Sequence, residues 1–344
     1  MRCIVLISLM SVMSFAQPES VFNGLKPQID STGSYSFWVS GHFYGGSANK
    51  SGYPVNTLLG NVEMINESGA VMLMSCGDLF KDIRNDIPLY EKSLFSSLKI
   101  PLYNAVGNHD ISGDVYQEHY GATHFYFQIE KDFHVILDSE LDDGDIKGSQ
   151  LQLLRMIESV VRKDDIENVF IYAHRTIWKN TYQELEDILN DNTQSLTGNN
   201  FASEVLPVVK DISENAAVYW FGGSLGNAPY SFLYFQPEKN ITYIATAIRG
   251  IPRDAMLKVK SDLGEVSFEP VSLTGQEMMS LQDYTVEKWE TTSPEEPFNW
   301  RLVPLYIKQT VLSWRFFFGA LTMLIFILTY SFIRKRKRRT KPLS

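Results

Sequence analysis

From Ser36 onward, short apolar runs alternate with longer amphipathic stretches. FWVS, VMLMSCGD, IPLYNAVGN, FHVILDS, NVFIYAH and AVYWFGG are bounded by Gly, Asp, Asn or His and read as buried strands. Between them, 90–98 and 149–162 carry helical spacing. In the second, Leu151, Leu154 and Ile157 recur at three-residue steps, and Leu153 and Val161 broaden the apolar face. Strand–helix alternation of this kind predicts α/β architecture. After Phe232 the pattern changes. FLYFQ, TYIATAI, AMLKVKSD and GEVSFEPVSL read as consecutive strands, with Ser261-Asp262-Leu263-Gly264 as a hairpin turn. They predict a second sheet made from antiparallel strands. The stretch 274–313 has weak periodicity and holds Ser293, Pro294 and Pro297, so it reads as a linker or a wrap.

The two ends carry a different pattern. Met1 and Arg2 precede an apolar run from Cys3 to Phe15, with Ser14 and Ala16 as small residues before Gln17. This reads as a secretory signal peptide cut after Ala16. Phe316 to Ile333 is free of charge, and Arg334, Lys335, Arg336, Lys337, Arg338, Arg339 and Lys341 follow it directly. An apolar run of that length flanked by cations on one side predicts a single transmembrane helix with its basic end in the cytoplasm. The expected location is therefore a single-pass membrane protein with its N-terminal bulk outside the cytoplasm. The helix and tail are the expected contacts for an intramembrane or cytoplasmic partner.

Charge narrows the function classes. Without Arg2 and the seven tail cations, 23 basic residues remain against 40 acidic, a net charge of about −17. A domain of that sign is not built to bind nucleic acid through its phosphates. After cleavage Cys76 is the one remaining cysteine, which excludes an internal disulfide.

The chemistry concentrates at strand ends. Gly107-Asn108-His109-Asp110 follows IPLYNAV, Gly77-Asp78 closes VMLMSC, His174 closes VFIYA and His42 follows FWVSG. In open α/β sheets, sites are built at the carboxyl ends of strands. His119, His124 and His134 read as structural histidines. Asp142, Asp143 and Asp145 read as a solvated acidic turn. Arg175 is left between phosphate binding and pairing with a carboxylate.

In this order, His, Gly-Asp, Gly-Asn-His-Asp and His resemble the calcineurin-like metallophosphoesterase family, over roughly 36–273. The segment Leu137-Asp138-Ser139, with Gly148 and Gln150-Leu151 opening a helix, is similar to the same family. The resemblance implies an αββα sandwich of two mixed sheets with metal ions between them. Such sites clamp a phosphate with two cations about 3.5–4 Å apart. By resemblance Asp78 would bridge the metals, His42 would ligate the first, and Asn108 and His174 the second. His109 would stabilise the leaving oxygen, and Asp110 would orient His109.

The pattern departs from the family at two places. Ser40-Gly41-His42 stands where the family has Asp-x-His, and Gly223 and Leu225 stand where it has two histidines. Two protein ligands remain for the first metal and three for the second. This counts against a binuclear centre and leaves either one divalent ion (Mn, Fe or Zn) or none. The expected function is metal-dependent hydrolysis of phosphomonoesters or diesters outside the cytoplasm. The alternative is a catalytically silent relative that binds or scaffolds. The expected division is a signal peptide over 1–16, a phosphoesterase-like domain over 17–273, a linker over 274–313, a transmembrane helix over 314–333 and a basic tail over 334–344.

Overall fold

A computed structural model of the chain describes residues 18–30, 32–46, 48–185, 188–189, 199–226, 228–292 and 314–339. It divides into two units, 1–293 and 294–344. The first begins with β1 (Tyr35–Ser40), β2 (Leu73–Ser75) and β3 (Leu102–Asn104), which pair in parallel. The sheet is completed by β10 (Ala255–Asp262) and β11 (Glu265–Ser272), in the order β11-β10-β1-β2-β3. The second sheet holds β4 (Phe125–Ile129), β5 (Asp132–Ile136), β6 (Asn168–Ala173), β7 (Ala217–Gly222), β8 (Phe232–Glu238) and β9 (Ile241–Thr246), in the order β4-β5-β6-β7-β9-β8.

Strand periodicity sorts the side chains into three layers of core. Phe37 and Val39 of β1, Met74 of β2, and Phe170 and Tyr172 of β6 pack between the sheets. Trp38, Leu73 and Leu102 point the other way, against α2 (Val62–Glu67) and α3 (Ile83–Ser93). On the far face Val169, Ile171, Val218 and Trp220 meet α5 (Gly148–Val161) and α6 (Leu206–Ser213). Fully burying each large apolar side chain contributes about 1.5–3 kcal/mol, so two facing sheets covered by helices bury nearly all of them. The result is an αββα sandwich of two mixed sheets, the architecture that the resemblance implied.

Three expectations change. The strands after Phe232 do not form a sheet of their own. β8 and β9 extend one sheet and β10 and β11 the other, because β9 pairs in parallel with β7 and β10 pairs antiparallel with β1. β4 lies outside the expected runs. The first unit also runs past residue 273. Leu281, Tyr284 and Trp289 are buried, the Tyr234 amide donates to the Tyr284 carbonyl at 2.9 Å, and the Trp289 indole donates to the Phe232 carbonyl at 2.9 Å. Residues 274–292 therefore wrap the edge strand β8, a cover that blocks pairing with another chain. The hairpin turn between β10 and β11 has Leu263 and Gly264 at φ of 52° and 89°, the backbone of a two-residue primed turn.

In the second unit the chain is helical from Trp314 to Arg339. Among the described residues no helix is long and apolar enough to cross a membrane. Side chains at 314, 315, 331 and 333–339 are outside them, so the expected 314–333 span is covered only in part. The expected signal peptide, 1–16, and residues 293–313 also lie outside the described residues.

Candidate metal centre

Strand geometry gathers the motif loops at one edge. The carboxyl ends of β1, β2 and β3 point the same way, and the loops beyond them are stitched by backbone hydrogen bonds. The Cys76 amide donates to the Ser40 carbonyl at 2.7 Å, His42 to Gly77 at 2.9 Å, and Ala105 to Ser75 at 2.8 Å. A Cβ at Gly107 would stand 2.3 Å from the Asp78 amide nitrogen and 2.4 Å from Oδ1. Only glycine lets the two motif loops approach this closely. His42 and Asp78 adopt left-handed backbone, with φ of 57° and 55°. For residues with a Cβ this costs about 1 kcal/mol or more each. Strain of this kind clusters at functional sites.

His42, Asp78 and His174 converge. His42 Nε2 lies 3.4 Å from Asp78 Oδ2, and His174 Nε2 lies 3.5 Å from Asp78 Oδ1. Ligand atoms from all three residues lie within 4.8 Å of one another, and all three residues are buried. His174 Nδ1 donates to the Cys76 carbonyl at 2.9 Å. Its Nε2 is therefore the nitrogen left to face the carboxylate. Neither that atom nor either ring nitrogen of His42 has a hydrogen-bond partner among the described residues. Buried polar atoms are rarely left unpaired, so orphaned acceptors around one carboxylate mark a cation's place. Zinc–nitrogen and zinc–oxygen bonds of about 2.0–2.2 Å give a tetrahedron with edges of about 3.3–3.6 Å. Each observed separation has the length of such an edge, one to each oxygen of Asp78. The residues present fit one divalent cation.

Electrostatics point the same way. Burial drives the His42 pKa down to about 3, against the pull of Asp78, so this ring is neutral and available as a ligand. Burial also opposes charge on His174, but Asp78, then Glu140 and the Cys76 carbonyl, outweigh it and raise its pKa. Asp78 is buried, yet the His174, His42 and His109 rings hold its pKa below the ordinary value. It stays ionised.

The other candidates fall into place with corrections. Asn108 opens the single turn 108–110, and the His109 amide next to it donates to Asp78 Oδ1 at 3.1 Å. His109 Nδ1 donates to the Lys81 carbonyl at 2.9 Å. Asp110 therefore does not orient His109, as the resemblance implied. Its carboxylate turns away and accepts from the Phe80 amide at 2.9 Å, the Gly107 amide at 2.9 Å and the Asn104 side chain at 3.2 Å. Burial, with Asp78 nearby, pushes its pKa up to about 7. His42 and His174 face different oxygens of the Asp78 carboxylate, Oδ2 and Oδ1. Arg175 is neutralised, by Glu140 at 2.8 and 2.6 Å and by Asp143 at 2.9 Å. This resolves the role of Arg175 as pairing with carboxylates. His134 is fully buried between the sheets.

The positions of the two missing histidines are closed. A Cβ at Gly223 would fall 1.8 Å from the Cys76 carbonyl oxygen. Leu225 is 1% exposed and packs in the core on the outer face of the second sheet. Two site residues were not singled out by their sequence. The Tyr44 ring lies between His42 and His109, at centroid distances of 5.4 and 4.8 Å. Arg249 follows β9 and exerts its charge on His42 and Tyr44. Each sits at a strand end, the signal that identified the other candidates.

No known family profile matches the chain, and no curated protein does. Among solved structures it is similar to a dimetal phosphatase from Danio rerio, with a TM-score of 0.49 and 10% identity, over 72% of this chain and 99% of that one. It is also similar to a purple acid phosphatase from yellow lupin (Lupinus luteus) seeds, with a TM-score of 0.46 and 11% identity, over 77% of this chain and 54% of that one. A Thermotoga maritima protein solved by NMR matches at a TM-score of 0.30 and 11% identity, over 69% of this chain and 99% of that one. Ligands and roles rest on this chain's own residues.

Proposed function

We propose that this chain, with the sandwich and the Gly-Asp and Gly-Asn-His-Asp motifs of the calcineurin-like metallophosphoesterases, is a metal-dependent phosphoester hydrolase that works with a single divalent cation. The observation that carries this reading is the trio of buried, unpartnered ligand atoms of His42 and His174 around Asp78. Those three residues would hold the ion, and the neighbouring Asn108 amide offers a neutral fourth ligand. Mn, Fe and Zn suit such a mixed nitrogen and oxygen set. When bound, the ion supplies Lewis-acid charge to a phosphoryl oxygen and lowers the pKa of water.

The chain's own residues supply the rest. The Cys76 carbonyl keeps His174 in the tautomer whose Nε2 accepts. The Lys81 carbonyl fixes the His109 ring, so its other nitrogen is left to donate a proton to a leaving oxygen. Tyr44 walls the site between the two rings and excludes water from that side.

Substrates are phosphomonoesters or diesters outside the cytoplasm. The apolar N-terminus supports export. The apolar run before seven cations supports a membrane anchor whose tail meets a cytoplasmic or intramembrane partner. Fractionation with a C-terminal reporter tests that topology, and a fully soluble full chain overturns it. The activity is tested by metal analysis of the full chain and by hydrolysis of p-nitrophenyl and bis-p-nitrophenyl phosphate with Mn, Zn, Fe or Mg added. About one equivalent of metal with turnover is expected. No retained metal and no turnover with any ion overturns the reading. A silent binding protein is the second reading, favoured by the closure at Gly223 and Leu225.

A further inference from the structure

Two arginines stand just past strand ends beside the ligand loops, Arg175 after β6 and Arg249 after β9, and they differ in one respect. Arg175 is locked against Glu140 and Asp143. Arg249 has no carboxylate partner among the described residues. Its Nη1 donates to the Gly226 carbonyl instead. That carbonyl belongs to the loop after β7, three residues past Gly223, on the flank where the ligands of a second cation are missing.

The loop that carries Arg249 is rigidly placed. Buried Asp254 accepts from the Arg249 amide at 2.9 Å, from the Gly250 amide at 2.7 Å and from the Thr57 hydroxyl at 2.6 Å. The Gly46 amide donates to the Arg249 carbonyl at 3.0 Å, and the Ile248 amide to the Gly41 carbonyl at 3.1 Å. The segment therefore runs along the His42 loop. Asp254 spends its charge on backbone amides and leaves the guanidinium uncompensated.

We infer that Arg249 replaces the missing second cation and anchors the phosphoryl group of the substrate, opposite the ion held by His42, Asp78 and His174. The chemistry suits it. A guanidinium presents a planar fork that matches two phosphate oxygens, and it keeps its charge at any physiological pH. With Gly223 pressed on the Cys76 carbonyl, no metal ligand can return on that flank. A fixed organic cation there restores the positive charge that a phosphate needs. The inference rests on the phosphoesterase reading for the identity of the anion.

The test is calorimetric binding of inorganic phosphate to the zinc-loaded full chain, comparing wild type with Arg249→Gln and Arg249→Lys. Metal content is measured on each. Expected is a loss of about tenfold or more in phosphate affinity for Arg249→Gln, a partial rescue by Arg249→Lys, and unchanged metal content. Equal phosphate affinity in wild type and Arg249→Gln overturns the inference and leaves the phosphoesterase reading intact. Loss of metal from Arg249→Gln also overturns it, since the residue would then support the ligand loops. A wild type that holds no metal but binds phosphate through Arg249 supports the inference and sinks the hydrolase reading. No phosphate binding by metal-loaded wild type overturns both.

Discussion

His174 Nε2 and Asp78 Oδ1 face each other at 3.5 Å, the histidine from one sheet and the aspartate from the other, with no hydrogen bond between them. A lone pair opposite a carboxylate in a buried place is favourable only when a proton or a cation sits between. This pair joins the loops of the two sheets at the candidate metal site.

Asp78→Asn removes the one charge shared by both histidines. Wild type should gain thermal stability on adding Zn or Mn, about 2.7 kcal/mol at a hundredfold excess over the dissociation constant. The variant should gain nothing. Differential scanning fluorimetry with and without metal measures this, and an equal gain in both proteins would show that the ion binds elsewhere.

Proton competition sets the pH dependence of metal binding. His174 has a raised pKa, so in the metal-free protein it holds a proton until the pH passes that value, and the ion must displace it. His42, with a pKa of about 3, is already neutral, and Asp78 is already ionised. One proton is therefore released. Affinity should fall about tenfold per pH unit below the His174 pKa and level off above it. Chelator competition from acid to mildly alkaline pH reads the slope, and a slope of two would mean that a second group titrates.

Restoring the missing ligands should not restore a binuclear centre. The Cβ of Gly223→Ala alone collides with the Cys76 carbonyl and should cost about 3 kcal/mol by urea unfolding. The triple variant Ser40→Asp, Gly223→His, Leu225→His should be less stable still and bind no second equivalent of metal. A second equivalent in a folded triple variant would show that the flank reopens.

His109 and Asp110 are neighbours with separable roles. His109→Ala should keep metal and stability while turnover falls on the order of a hundredfold or more. Asp110→Asn turns a donor toward the Phe80 or Gly107 amide. It should cost about 1–3 kcal/mol of stability and on the order of tenfold in metal affinity. Unfolding curves and metal titrations separate the two, and an Asp110→Asn protein with wild-type stability would contradict the assignment.

Acid should weaken the metal-free fold through His134. Tyr35 gives its proton to Asp132, so His134 Nε2 donates to the Tyr35 oxygen at 2.9 Å and Nδ1 accepts from Tyr172 at 2.9 Å. Burial holds its pKa at about 3. Between there and the ordinary value near 6.5 the unfolded chain binds a proton that the folded chain refuses. Stability therefore falls as pH falls through that window, by at most about 1.4 kcal/mol per unit for this group. His134→Gln should show a shallower decline in urea midpoint over the same window. Parallel declines would assign the acid sensitivity to other groups.

Apart from β4, the sequence by itself determined which runs are strands, which glycines and polar residues close them, and that the candidate ligands lie at strand ends. These are local properties, set by side-chain alternation and by which residues tolerate tight turns. Gly107 is legible in that sense, because a glycine before a ligand loop signals close approach. Tertiary structure decided the rest. Whether β8 to β11 form their own sheet or complete two others depends on pairing between strands far apart in the chain. His42 and His174 share Asp78 because two sheets pack face to face at that edge. Asp110 serves Phe80 and Gly107 because those amides, and not His109, surround it after folding. Gly223 reads as a lost ligand in the sequence. In the fold it is a contact with the Cys76 backbone, and the charge that a second ion would have brought is carried from a distant strand by Arg249.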